Sequence, residues 1–260
     1  MMWKKELEIA KLAAKAAGEA IMQIYEEFSD VQVEYKRDQS PLTEADKASN
    51  KVIVEMLTKH FPTYAILSEE EKDDLSRLEN PLCFVVDPLD GTKEFIKRNG
   101  QFTVNIALAH DHISEMGVIY VPFTGELYYA SKGTGAYLEL LDGMVKPLRV
   151  SANMEKSDLR VVISSSHGCS QMDEWLEKHQ FLNFVKKGSS LKGCMIASGE
   201  ADIYYRFNPT MEWDTAAMQC IVEEAGGIFR QMDGTEMRYN RKNSLNDKGF
   251  YIVNREENIY

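Results

Sequence analysis

Two aspartates three residues apart end an apolar run in the stretch VVDPLDGTKEF, Val85 to Phe95. Val85 and Val86 read as the end of a buried strand with Asp87 as its last residue. Pro88 fixes φ and cannot continue a ladder, and Gly91 takes a positive φ at no steric cost. A tight turn there folds the Asp87 and Asp90 carboxylates toward one point. Bare, they repel, and one of them is driven to hold its proton. A hard divalent cation removes that cost, and the Leu89 carbonyl between them is a further oxygen donor. An oxygen-only set suits Mg²⁺ or Mn²⁺ better than zinc. Thr92 and Lys93 open GTKEFIKRN, a helix-like segment whose free N–H groups suit a phosphate. An Asx-type turn with both acids as local caps accounts for the same residues without any ligand.

Other residues of the right type lie elsewhere in the chain. Glu69, Glu70 and Glu71 follow a strand-like AILS, where an acidic run is also an ordinary solvated loop. Asp214 precedes the apolar helix of MEWDTAAMQC and reads as its N-cap. Asp46 stands three residues after Thr43 and reads as that residue's capping-box partner. Ser189 and Lys192 can face one side near the start of a helix, where a second phosphate would find a charge. They also read simply as a helix start, and His167, after a serine run, as a surface or capping residue.

The elements that must position these groups are legible in outline. Trp3, Leu7, Ala10, Ala14, Ala17, Ile21, Ile24 and Phe28 recur at helical spacing and predict one long amphipathic helix. SPLTEADKASNKVIVEMLTKHFP predicts a second, started by Thr43 and stopped by Pro62. CFVVDP, QFTVNIALAH, SEMGVIYVP and GELYYASKG read as successive strands, with Phe102, Val104, Ile106 and Leu108 on one face and Asp142-Gly143 as a hairpin turn. Together they predict an antiparallel sheet covered by the first two helices, a lobe over 1–150. From 151 to 260 strand and helix alternate, which predicts a mixed α/β second lobe that shares an interface with the first.

Composition narrows the function classes. The chain of 260 residues has 30 basic and 41 acidic side chains, a formal net charge of −11. Such a surface argues against bulk nucleic-acid binding, so any phosphate site must bring its own positive charge. The cysteines, Cys83, Cys169, Cys194 and Cys220, form no zinc or redox motif and suit a reduced protein. No signal-peptide core and no membrane-length apolar run is present, so a cytoplasmic protein, monomeric or homodimeric, is expected.

Asp46, then the Glu69-Glu70 pair, then DPLDGT, then WD and a Gly-Gly with eleven residues between them resemble the lithium-sensitive, magnesium-dependent phosphatases that include the inositol monophosphatases. The resemblance spans about residue 40 to 255 and implies a layered αβαβα fold. Lys93-Glu94-Phe95, the SSSH ending at His167 and the SSLK of Ser189 to Lys192 are similar to the CysQ-type 3'(2'),5'-bisphosphate nucleotidase branch. Arg206 sits where that branch has a basic residue near the substrate. The resemblance implies a phosphoric monoester hydrolase acting on a small phosphorylated nucleotide. It implies one Mg²⁺ on Glu69, Asp87 and the Leu89 carbonyl, a second on Asp87, Asp90 and Asp214, and a weaker third near Glu69. Glu69 would orient the attacking water and Thr92, polarised by Asp46, would help take its proton. The Gly91 and Thr92 N–H groups would hold the phosphate, with Lys93, His167, Ser189, Lys192 and Arg206 around the substrate. An inositol monophosphatase or broad sugar phosphatase with the same metal site, or a non-catalytic metal- and anion-binding module, are the alternatives.

Overall fold

The strand and helix signals resolve into stacked layers in the computed structural model, which describes residues 2–27, 33–35, 41–166 and 168–260. Helix α1 (Lys4–Glu27) is followed by the short antiparallel pair β1 (Val33–Tyr35) and β2 (Pro41–Thr43), and then by α2 (Glu44–His60). A seven-stranded sheet comes next, its strands neighbouring one another in chain order: β3 (Ala65–Ser68), β4 (Leu82–Asp90), β5 (Thr103–His110), β6 (Ile113–Val121), β7 (Glu126–Ser131), β8 (Ala136–Glu139) and β9 (Val145–Pro147). The short α3 (Thr92–Ile96) fills the turn between β4 and β5.

The second half contributes β10 (Val161–Ser164), α4 (Ser170–Lys178), β11 (Phe184–Lys187), α5 (Leu191–Ala197), β12 (Ile203–Arg206), β13 (Thr210–Met211), α6 (Glu212–Glu224), β14 (Ile228–Gln231), β15 (Leu245–Asn246) and β16 (Phe250–Val253). Its five-stranded sheet runs in the order β11-β10-β12-β16-β14 and is mixed, as expected.

Helices α1 and α2 cover one face of the first sheet, and α6 covers the other. Helix α5 packs on α6 and on β10, β12 and β16, while α4 closes the far side of the second sheet through Met172, Trp175 and Leu176. The result is an α-β-α-β-α sandwich. It explains why β4 reads as an unbroken apolar run: Phe84 and Val86 face the α1 and α2 side, whereas Cys83 and Val85 face α6, so neither face meets water. Phe102, Val104, Ile106 and Leu108 do share the α1 and α2 side. One core joins Val85, Ala107 and Ile119 of the first sheet to Ala216, Ile221 and Phe229.

Three expectations need correction. The first sheet is not wholly antiparallel, because β3 runs parallel to β4. The link from Ser68 to Leu82 is a crossover of the dozen or so residues that parallel neighbours require, rather than a hairpin. Helix α6, read as part of the second lobe, is a shared middle layer. Near the end of α1 the buried position is Tyr25, with Ile24 half-exposed; Phe28 and the side chain of Thr43 lie outside the described residues. Glycines permit the closest contacts: at Gly117 an added Cβ would come within 2.3 Å of the Ala217 carbonyl oxygen on α6. Among the described residues no helix is long and apolar enough to cross a membrane, and all four cysteines are unpaired.

Candidate active site

Strand β4 keeps its register with β5 as far as the pair Asp87 and Asn105, then slips before Asp90 meets Thr103. Pro88 has no N–H to give the ladder, so the slip falls where the chain cannot pair. The Asp87 carboxylate takes up the turn instead, its Oδ1 accepting the Leu89 N–H at 3.1 Å. The Asx turn and a ligand role are therefore compatible. Gly91 has φ +95°, and an added Cβ would crowd the Gln101 carbonyl oxygen at 3.1 Å and Ser189 at 3.2 Å. That conformation starts α3 at Thr92 and aims the turn back into the molecule.

Two other elements converge on this strand end. Parallel pairing of β3 with β4 brings Glu69 alongside, its N–H donating to the Val86 carbonyl at 3.2 Å. The first turn of α6 supplies Asp214. Carboxylate oxygens of Asp87, Asp90 and Asp214 all lie within 4.8 Å of one another. Asp214 is not the N-cap it was read as. Met211 is the N-cap, and Asp214, three residues later, accepts the Met211 N–H at 2.7 Å. One oxygen thus completes the helix start while the group still faces the other acids.

Burial pushes the Asp87 carboxyl well above the usual carboxylate range, and the charges of Glu69, Asp90, Asp214 and Asp46 push it further. Asp214 is pushed up to about 7 by burial, then by Asp90 and Glu69, against the pull of the Met211 N–H. Carboxylates gathered at this cost, from three separate segments, are what a hard cation would relieve. The donors are all oxygen, and no histidine or cysteine is among the described residues lining the cavity. The set fits a hard divalent ion.

The acids line a cavity of about 320 Å³, which also exposes Leu89, Gly91, Thr92 and Lys93. Ser189, Lys192 and Arg206 line the same cavity. Lys192 is 6% exposed. Its amine donates to the Ser189 carbonyl and lies 5.6 Å from the Tyr204 ring centroid. Burial pushes this amine down to about 8, opposed by Asp90 and aided by Arg206. Asp46 is buried and close enough to act on Asp87, but it does not line the cavity. His167 lies outside the described residues.

Sequence reading missed Ser190 and Asn105. Ser190 Oγ donates to Asp90 Oδ2 at 2.7 Å, and Asn105 Nδ2 reaches Ser190 Oγ at 2.9 Å and Asp90 Oδ2 at 3.4 Å. Thr103 Oγ1 in turn donates to Asn105 Oδ1 at 2.9 Å. These bonds tie the β4 turn to the start of α5. The available signal was a lone asparagine inside the otherwise apolar strand TVNIALAH.

A fold of this layering with acids at a strand end and a helix start defines a class. The chain belongs to the inositol monophosphatase family, whose model matches residues 2–258. Within that family the likeness is to proteins named 3'(2'),5'-bisphosphate nucleotidase CysQ. The one from Buchnera aphidicola is 39% identical over 253 residues, covering 96% of this chain and 94% of its own length. The one from Escherichia coli K12 is 39% identical over 240 residues, covering 92% and 96%. The crystal structure of CysQ from Bacteroides thetaiotaomicron superposes with a TM-score of 0.85 at 38% identity, covering 98% of this chain and 99% of that one.

Proposed function

We propose that this protein is a Mg²⁺-dependent 3'(2'),5'-bisphosphate nucleotidase that converts adenosine 3',5'-bisphosphate to AMP and phosphate. The observation that carries the reading is a single cavity lined both by clustered acids and by a buried lysine and an arginine. Such a cavity suits a substrate with two phosphates, one cleaved and one held. It accords with the activity for which the CysQ relatives are named.

Asp87, Asp90 and Asp214, with Glu69 and the Leu89 carbonyl, would hold Mg²⁺, in two or three positions. When bound, the ion lowers the pKa of water toward neutrality and offsets charge on the phosphate. The protein's own groups do the rest. Glu69 orients the attacking water. The Thr92 hydroxyl would accept the water's proton as it gives its own to the Asp46 carboxylate, and the Gly91 and Thr92 N–H groups hold the phosphate being cleaved. Lys192 and Arg206, with Ser189 and Lys93, hold the phosphate that remains, and the sequence resemblance adds His167 to them. Four unpaired cysteines suit a reducing compartment, in keeping with a cytoplasmic enzyme.

Phosphate release from adenosine 3',5'-bisphosphate, its sulfated analogue, inositol 1-phosphate and fructose 1,6-bisphosphate tests this, each with Mg²⁺ and with excess chelator. The bisphosphate nucleotide is expected to lead. A lead for inositol 1-phosphate would move the protein to the monophosphatase side of its family, and full activity in chelator would end the metal reading.

A further inference from the structure

The inner face of α2 changes character along its length. Toward its C-terminal end, Ile53 and Leu57 are apolar and fully buried. Toward its N-terminal end the same face carries Asp46, Ser49 and Asn50, spaced i, i+3, i+4, and these are buried as well, at 2%, 0% and 6% exposure. A buried hydroxyl or amide is costly unless it is partnered. Ser49 and Asn50 are both partnered, and their partners are the two turns that carry the acids.

Ser49 Oγ donates to the Pro88 carbonyl at 2.6 Å, inside the Asp87–Asp90 turn. Ser68 Oγ donates to Asn50 Oδ1 at 2.7 Å, and Asn50 Nδ2 donates to Glu71 Oε1 at 2.6 Å. The Asn50 amide thus spans from one side of Glu69 and Glu70 to the other. Adjacent residues of one rigid helix grip both acidic turns from behind, and neither lines the cavity.

We propose that Ser49 and Asn50 are positioning residues, a clip that sets the spacing of the Glu69 turn and the Asp87–Asp90 turn before any ion binds. The inference rests on the reading of those turns as the metal site. Without the cation the carboxylates repel one another, and the Glu69 turn leads into a loop of exposed residues. An unclipped loop relaxes away from Asp87, and an arriving ion must then regather it. The clip therefore acts on metal affinity and leaves the chemistry of the loaded site alone.

Calorimetric titration of the full chain with Mg²⁺ tests this, beside hydrogen exchange of the metal-free protein. Asn50→Asp keeps the acceptor for Ser68 but sets a carboxylate against Glu71. The Mg²⁺ Kd is expected to rise about tenfold, with faster metal-free exchange at the amides of 69–71 and kcat at saturating Mg²⁺ little changed. An added negative charge alone would tighten cation binding, so the loss cannot come from charge. Asn50→Asp combined with Glu71→Gln rebuilds the donor–acceptor pair in reverse at the original net charge, and should return the Kd to that of the wild type. Ser49→Ala, which only deletes one hydrogen bond, should raise the Kd about threefold and serves if Asn50→Asp does not fold. A variant that melts lower yet binds Mg²⁺ as the wild type does would overturn the proposal, as would a folded double variant without rescue. Absence of Mg²⁺ binding to the wild type would instead sink the metal reading itself, and the clip with it.

Discussion

The acidic and basic groups of the cavity stand on different foundations. The acidic groups stand on the end of β4 and the first turn of α6, where burial and mutual repulsion push Asp87 and Asp214 toward their protonated forms. The basic groups stand on α5 and β12, where burial pushes Lys192 toward its neutral form. An interior selected for stability alone would pair these charges with one another. Here they line a shared space without an ion pair between them among the described residues, so burial costs each of them. A cation would relieve one cost and an anion the other, as expected of a site built for ligands.

The sharpest way to break this comparison is at the acidic groups. Asp87→Asn should abolish turnover, because the central carboxylate loses its charge. Its Oδ1 can still accept the Leu89 N–H, so the fold is kept. Relief of repulsion should raise the metal-free melting temperature by roughly 2–4 °C per kcal/mol relieved. Wild-type phosphate release in this variant would remove Asp87 from the site.

The basic groups should respond selectively. Lys192→Ala removes one charge-assisted contact, about 1.5–3 kcal/mol, or about ten- to hundredfold in kcat/KM for the bisphosphate nucleotide. Hydrolysis of inositol 1-phosphate should barely change, whereas Thr92→Ala should slow both substrates in proportion. Equal losses on both substrates for Lys192→Ala would make the lysine structural.

Mg²⁺ should raise the melting temperature, by about 2.7 kcal/mol of stabilisation at a hundredfold excess over Kd. The sign with pH follows from Asp214. Its carboxyl is raised to about 7 in the folded chain, so the metal-free fold is steadiest below the unfolded value near 4 and loses stability as pH rises through 7. The Mg²⁺ shift should therefore be larger at pH 8 than at pH 5.5, and a thermal melt series that shows the reverse would contradict it.

The smallest effect concerns Lys192 alone. With its amine lowered to about 8, the free enzyme loses that charge just above neutrality. The ratio of kcat/KM for the bisphosphate to that for a monophosphate should fall about fourfold half a unit above this value. A flat ratio up to pH 9 would show that the amine stays charged.

Much of the acidic cluster was legible because its signals are local. Asp87, Pro88, Asp90 and Gly91 specify their own turn through fixed φ, a missing donor and a positive φ, and the apolar β4 announces its burial. The assignment of Asp214 as N-cap failed because an acid in the first turn can cap a helix either from outside or from its third position, and the spacing to Met211 decides which. Ser190 and Asn105 were not legible because their role comes from a contact 85 residues apart in the chain. The turn at Asp142-Gly143 was legible, but its flanking strands β8 and β9, and β14 later in the chain, are only three or four residues long and lack clean alternation. The place of α6 against the first sheet lies in the small residues facing it, Ala107, Ala109 and Gly117, whose room for a helix shows only once the strands are paired.

Gly117 lies on β6, away from the cavity, with the backbone of Ala217 seated directly upon it. Ala217 is one helical turn beyond Asp214. A methyl group at position 117 would lift that turn off the sheet and shift Asp214 relative to Asp87, although no lining residue had changed. A saturation mutagenesis map scored for phosphate release should therefore show a second island of intolerance, in the middle of the sandwich. It would be distinguished from ordinary core damage by partial recovery when the Mg²⁺ supply is raised.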